Sequence, residues 1–335
     1  MGKVFCLPFN GDVDFTIEYA RENHDRIYEF YGTDGLFHSA TYGKKVDDAS
    51  FRKCVSVLQG LDIKFNYLLN AIGIDDYIAR EGMLFRHLDS LRPYGVSMVT
   101  LSHPAYVSKF KSMGFCVSSS IVQDIKTIPE VKWVEKFGYD RVICSDNLNR
   151  QISQLGELLT ATVLPVEIIV NNICLPSCPL RHSHYSWNNM LSFACSDSYA
   201  SLKEKRSQIV KCREMWKEDP ILFLKSSWIR PEDIARYLNL GVSLIKIGGR
   251  DVDSDRLSSV FDIYLSGNYK GCVLDYLEPH TSLREDHKIN DIRNEKLDFF
   301  FASLFANPDL CAGNCHTCTY CDDCLAKLLS SESVE

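Results

Sequence analysis

At 335 residues, 45% hydrophobic and 24% charged, the chain has the composition of an ordinary soluble globular protein, long enough to bury one large core or two modest ones. Its net charge of −7 gives no support for a general electrostatic grip on nucleic acid, and no run approaches the roughly 18 apolar residues of a membrane helix. The start, MGKVFCLPFN, lacks the pattern of an export signal. The expectation is a cytoplasmic, reducing setting, in which clusters among the fourteen cysteines are metal ligands rather than disulfides.

Short apolar runs alternate with longer amphipathic stretches from the first residue to about position 275. Strands are expected at 3–10, 26–33, 64–71, 97–104, 115–122, 141–147, 166–172, 221–227 and 243–249. Helices are expected between them at 14–22, 49–58, 77–90, 105–113 and 231–240. The last reads PEDIARYLNLG, with proline and acids in the first turn and Gly241 just past the end. This alternation implies a parallel sheet with helices outside. Eight or nine strands over this length fit a closed TIM-type (β/α)8 barrel better than an open doubly wound sheet. No G-x-G-x-x-G follows a strand, which counts against a dinucleotide site. In a barrel, chemistry sits at the carboxyl ends of the strands. Polar residues gather there: Asn10, Asp12, Thr33, Asp34, Asn70, Ser102, His103, Ser118 to Ser120, Asp146 to Arg150, Asn171 and Asn172. Residues 1–275 are thus expected to form the barrel. Residues 276–335 are expected to form a helical, cysteine-rich, metal-binding tail, too small to stand without a metal or a docking surface.

The densest cysteine cluster is the tail run CAGNCHTCTYCDDC, holding Cys311, Cys315, Cys318, Cys321 and Cys324. A zinc ribbon needs two close pairs separated by a long loop. Thiolates consecutive in one short segment match instead the loops that wrap an iron–sulfur cluster. Four ligands suffice, and Cys311, Cys315, Cys318 and Cys321 are the preferred set, because Cys324 follows two aspartates whose charge disfavours an already anionic cluster. A four-iron four-sulfur (4Fe-4S) cluster is the expected cofactor, with structural zinc as the alternative. The dispersed Cys6, Cys116, Cys144 and Cys272 lie in apolar strand-like runs and read as small buried hydrophobes.

A second pair, Cys174 and Cys178, follows the strand at 166–172, in a loop that Pro176 and Pro179 keep out of regular helix. Two thiolates four residues apart can share a metal but cannot complete its shell. The missing ligands are to be sought in Cys195 and Cys212, in His182 and His184, or in the tail cysteines folded over the barrel mouth. Arg181 and His184 suit an anionic substrate and proton transfer. Further on, Lys246 and Arg250 flank Gly248 and Gly249 at a strand's carboxyl end, a pattern suited to a carboxylate or phosphate.

The order VEIIVNNICLPSC, then KS, then GVSLIKIGGR resembles the collagenase-like peptidases of family U32. That family shows a strand E-V-x-V-H-G followed by cysteines, then K-S and G-V-x-x-x-K-I-E-G-R. Glu167 matches the strand acid, and Cys174 and Cys178 fall where the family's first cysteines fall. Lys225, Ser226, Gly241, Val242, Lys246, Gly249 and Arg250 match the second motif. Asn171 and Asn172 replace H-G, and Gly248 replaces the acid. The resemblance implies a TIM-type barrel and a cluster bound by four cysteines. It also implies either oxygen-independent hydroxylation or peptidase-like activity.

The chain is accordingly expected to be an enzyme using redox or hydroxylation-type chemistry on a small or medium-sized anionic substrate. His184, Arg181 and Glu167 are the expected catalytic residues, and Lys246, Arg250, Asn171 and Asn172 the substrate-binding ones. Cys174, Cys178 and the four preferred tail cysteines are the expected metal ligands. The alternatives are a peptidase-like hydrolase with a structural metal and a non-catalytic partner subunit. The expected partners are the substrate and an electron donor or second subunit, with no membrane.

Overall fold

The computed structural model describes residues 2–40, 44–193, 204, 212–219, 221–277 and 292–330. Eight strands form one parallel sheet: β1 (Phe5–Pro8), β2 (Ile27–Gly32), β3 (Lys64–Leu69), β4 (Val96–Leu101), β5 (Cys116–Ser118), β6 (Val142–Ile143), β7 (Val166–Ile169) and β8 (Leu244–Lys246). Their order, β5-β4-β3-β2-β1-β8-β7-β6, runs around a cylinder. Parallel bridges Ser118–Arg141 and Ile125–Cys144 join β5 to β6 and bring the ends together. The fold is a TIM-type (β/α)8 barrel with helices outside.

The strands are buried on both faces, which is why they read as apolar runs rather than as alternating patterns. Helices Val13–Asn23 and Asp48–Gly60 begin at Asp12 and Asp47, whose carboxylates accept from the backbone N–H three residues on. Helix Ile128–Phe137 starts with a full capping box, Thr127 with Glu130, and ends at Gly138 with φ +86°. The helix expected at 77–90 is broken at Arg80 into Asp75–Ala79 and Glu81–Leu91.

Two expectations are corrected. Residues 221–227 do not form a strand: Ile221–Lys225 is a short helix, whose first N–H donates to the Asp219 carboxylate. A short apolar run has the same composition in a buried helix as in a buried strand, and here the cap decides. The chain then extends, and Ile229 N–H donates to the Val170 carbonyl beyond the end of β7 (2.8 Å). Among the dispersed cysteines, Cys6 and Cys144 are buried, but Cys116 is exposed and Cys272 half-buried. Cys116 occupies the outward first position of β5, and Cys272 lies outside the named strands.

The tail is not a separate body. Phe300, Phe301 and Leu304 of helix Asp298–Ala306, with Cys324 and Leu328 of helix Tyr320–Ser330, belong to the same buried cluster as the barrel's outer layer. Phe301 packs on Trp228 (5.4 Å between centroids) and Phe305 meets Tyr237 edge-on (5.2 Å). No helix of the described residues is long and apolar enough to cross a membrane.

Candidate active site at the barrel mouth

The barrel interior is charged, and its charges balance. Glu29 on β2 and Glu167 on β7 are fully buried, and Arg141, just before β6, lies between them. Arg141 grips Glu29 with two parallel hydrogen bonds (2.9 and 2.8 Å) and reaches Glu167 Oε2 at 3.3 Å. Lys246 on β8 stands 3.2 Å from Glu167 Oε1. Asn66 donates to Glu29, Thr100 donates to Asn66, and Arg141 Nε donates to Ser118. The Cys6 thiol, pushed up by burial, points at Glu167 Oε2 (3.7 Å). Burial opposes ionisation of Glu167, yet Arg141 and Lys246 outweigh it and hold its carboxyl below the usual range. Two carboxylates and two cations therefore make a neutral floor. Cys6, Glu29 and Glu167 bring three ligand-type atoms within 4.8 Å of one another, but Arg141 and Lys246 already occupy the role a metal ion would play.

Above this floor lies a cavity of about 220 Å³ at the carboxyl ends of the strands. Its wall includes Tyr31, Asn70, Ser120, Asn172, Cys174, Arg181, His184, Lys246 and Arg250. The Lys246 ammonium sits 3.7 Å from the centre of the Tyr31 ring, which fixes it without neutralising it. Arg250 is buried and donates to Ser39 (2.9 Å). Arg181 opens helix Arg181–Phe193 and is anchored by Asp146 (2.5 Å) and Asp124 (3.5 Å). Its Nη2 makes no hydrogen bond among the described residues. Asn172 donates to the other oxygen of Asp146. Asn171 lies behind the wall: it donates to the Gly248 carbonyl (3.2 Å) and accepts the Gly248 N–H (2.6 Å). This pair ties the Gly248–Arg250 loop to the end of β7.

Cys174 lines one edge of this cavity, and Cys178 follows it in a loop where Ser177 takes a left-handed backbone, φ +50°. Their thiols interact, Cys174 toward Cys178. That interaction, the backbone N–H groups of Leu180 and Arg181 and the Arg181 charge outweigh burial and push Cys178 down to about 6, while Cys174 is driven up.

The tail cysteines line a different cavity. Cys311, Cys315, Cys318 and Cys321 surround a space of about 170 Å³ whose other walls include Arg150, Lys225, Phe300 and Leu304. Cys324 points away from it into the core, beside Tyr320.

A family model described as peptidase family U32 matches residues 25–303. The chain belongs to peptidase family U32. It is 25% identical over 305 residues, 90% of this chain and 86% of the relative, to an uncharacterized protease, MJ1657, of Methanocaldococcus jannaschii. A solved structure titled as the U32 peptidase Mk0906 superposes with a TM-score of 0.52 at 12% identity, covering 74% of this chain and 93% of that one. At that identity the superposition speaks for the fold alone.

For this U32 chain, the structure gathers Arg181, His184, Asn172, Lys246, Arg250 and Cys174 on one cavity, with Cys178 four residues on in the same loop. Glu167 lies under the cavity, in contact with Lys246, and Asn171 behind it. The tail cysteines do not close over the mouth: they lie against helix Ile221–Lys225 and the turn Asp146–Arg150. His182 is exposed and outside the cavity wall. Cys195 lies outside the described residues, as does the side chain of Cys212. Sequence reasoning missed Arg141 and Glu29. A glutamate inside the apolar strand IYEFYG was the available signal, since a buried carboxylate demands a partner.

Proposed function

We propose that this U32 chain is a metal-dependent enzyme that takes a small or medium-sized anion into the mouth cavity and carries out redox or oxygen-independent hydroxylation-type chemistry there. The observation that carries this reading is the convergence of Lys246, Arg250 and Arg181, all buried, on one cavity beside a thiol pair. Three buried cations around a small polar space suit a carboxylate or phosphate group.

The thiol pair fits two of the four ligands of an iron–sulfur cluster: Cys174 lines the cavity, and Cys178 follows it in the same loop. When bound, the cluster would supply one-electron transfer. Lys246 would then bind the substrate anion and Arg250 would orient it, with Arg181 closing the opposite side through Nη2. His184, on the wall beside Tyr185 (6.4 Å, stacked), would hold or release the proton that a change at the bound carbon requires. Glu167 acts as a positioning residue, keeping Lys246 aimed through their 3.2 Å contact. The hydrolase alternative receives less support. The family's strand acid is committed to Arg141 and Lys246 in the floor and does not line the cavity.

Titration calorimetry with succinate and inorganic phosphate tests the anion site. Removing one charge-assisted contact costs about 1.5–3 kcal/mol, so Lys246→Met and Arg250→Met should each weaken binding about ten- to a hundredfold. Affinities equal to wild type in both variants would sink the reading. Iron and sulfide analysis of anaerobically purified protein tests the cofactor, and Cys174→Ser/Cys178→Ser should lower both. Peptide turnover that survives both chelation and Lys246→Met would instead favour the hydrolase.

A further inference from the structure

We propose that Cys311, Cys315, Cys318 and Cys321 form a second, self-contained iron–sulfur site, with the buried Arg150 guanidinium as its fixed counter-charge. The family match ends at residue 303, before the first of these cysteines, so the site goes beyond what the U32 assignment carries.

Three observations converge on it. The four thiols face one cavity of about 170 Å³, larger than the roughly 150 Å³ space that accepts a benzene ring. Their sulfurs also stand apart, since no three lie within 4.8 Å of one another. Zinc with sulfur bonds of about 2.3 Å holds its tetrahedral sulfurs about 3.8 Å apart. Among the described residues, the one group of three or more ligand-type atoms within 4.8 Å of one another is Cys6, Glu29 and Glu167, so no three tail thiols meet that spacing. A cluster bonded through irons at its corners spreads its thiolates wider, around a central volume.

Arg150 supplies the third observation. It is 3% exposed, lines this cavity, and has no carboxylate within 4.0 Å among the described residues. Two of its nitrogens donate to the Leu224 and Trp228 carbonyls, and Nε makes no hydrogen bond among the described residues. Its guanidinium lies over Trp228, Phe300 and Phe301, 4.9 to 5.4 Å from their centroids. A charge buried in such an apolar setting is strongly disfavoured unless an anion balances it. A cluster held by four thiolates is that anion. Lys225, on the same wall, is already paired with Asp322 (3.1 Å), so Arg150 is the cation left for the cluster.

The test uses the full chain, reconstituted anaerobically with iron and sulfide, analysed for iron, sulfide and zinc, and examined by electron paramagnetic resonance after dithionite reduction. Cys174→Ser/Cys178→Ser removes the mouth pair, and this variant should still hold about four irons and four sulfides per chain and give a reduced-cluster signal. Adding Cys315→Ser and Cys318→Ser should abolish both. Absence of iron from the first variant, or zinc in its place, overturns the proposal. An iron content of about four in both wild type and the first variant would remove the mouth cluster and leave this site standing. Arg150→Met keeps the thiols and the apolar stack and does not depend on the fourfold variant folding. It should shift the reduction potential of the tail signal to more negative values, since adding an electron to an anionic cluster is harder without the cation. An unchanged potential overturns the role given to Arg150.

Discussion

Lys246 shows how one residue joins the barrel's stability to its site. The same ammonium that faces the cavity neutralises Glu167 below it, and Arg141 links Glu167 to Glu29. Removing one partner of a buried pair leaves an uncompensated charge, which costs about 3–5 kcal/mol. Arg141→Met should therefore lower unfolding free energy by about that amount in urea denaturation, and Glu29→Met combined with Arg141→Met should recover much of it. Recovery is expected because the double variant again has equal numbers of buried acids and cations. The same network sets a pH limit. Glu167 and Asp34 both titrate below their unfolded values of about 3.9–4.3, Glu167 through Arg141 and Lys246, and Asp34 through His87, Tyr67 and the Leu36 N–H. For depressed carboxyls the stabilisation is present above the unfolded pKa and lost as pH falls through the folded one. Their share of the urea midpoint should thus hold from pH 7 to 5 and fall below about pH 4. The charged residues of the mouth were legible in the sequence, since Lys246 and Arg250 flank glycines at a strand end. The Glu29–Arg141 pairing was not, because its partners are 112 residues apart and only barrel closure brings them together.

At the scale of elements, the loop after β8 decides whether the cations reach the cavity. Gly249 has φ +124°, and a Cβ there would meet Leu257 Cδ2 at 3.1 Å. Gly249→Ala adds backbone strain to a close contact, so it should cost more than about 1 kcal/mol in denaturation and weaken phosphate binding by displacing Arg250. Strand ends and glycine turns of this kind can be read from sequence, and the helix at 231–240 appeared with its cap at Gly241, φ +115°. The run at 221–227 was misread because its apolar residues fit either element. The turn Asp146–Arg150 carried a less visible lesson. Asp146 at one end anchors Arg181 at the mouth, while Arg150 at the other end lines the tail cavity. At about 2 Å rise per residue, these two points lie about 8 Å apart along the turn. One element therefore organises both cysteine sites, although the sequence shows it only as a polar stretch.

For the whole molecule, the alternation of strands and helices was enough to indicate a barrel, whereas the docking of the tail depended on long-range packing. On the proposed tail site, two parts of the tail are held by different forces. Helix Asp298–Ala306 is fixed by Phe300, Phe301 and Leu304 in the common core, and Phe301→Ala should cost about 3–5 kcal/mol through the cavity left against Trp228. The segment 311–321 meets the core at its end, where Tyr320 stacks on Phe300 (5.3 Å), and its cysteines are half-buried. On the proposed tail site, a ligand at the thiols adds to that order, since its binding stabilises the folded arrangement by mass action. Stripping metal should then act on one part and spare the other. Amide exchange in 311–321 should rise at least about tenfold, the change corresponding to about 1.4 kcal/mol of lost local stability, while exchange in 298–306 and in β1 to β4 stays as it was. Equal exchange in 311–321 with and without metal would mean that the segment is held by packing alone. A simultaneous rise in 298–306 would mean that the aromatic helix docks only when the thiols are loaded, making the tail a single metal-dependent unit.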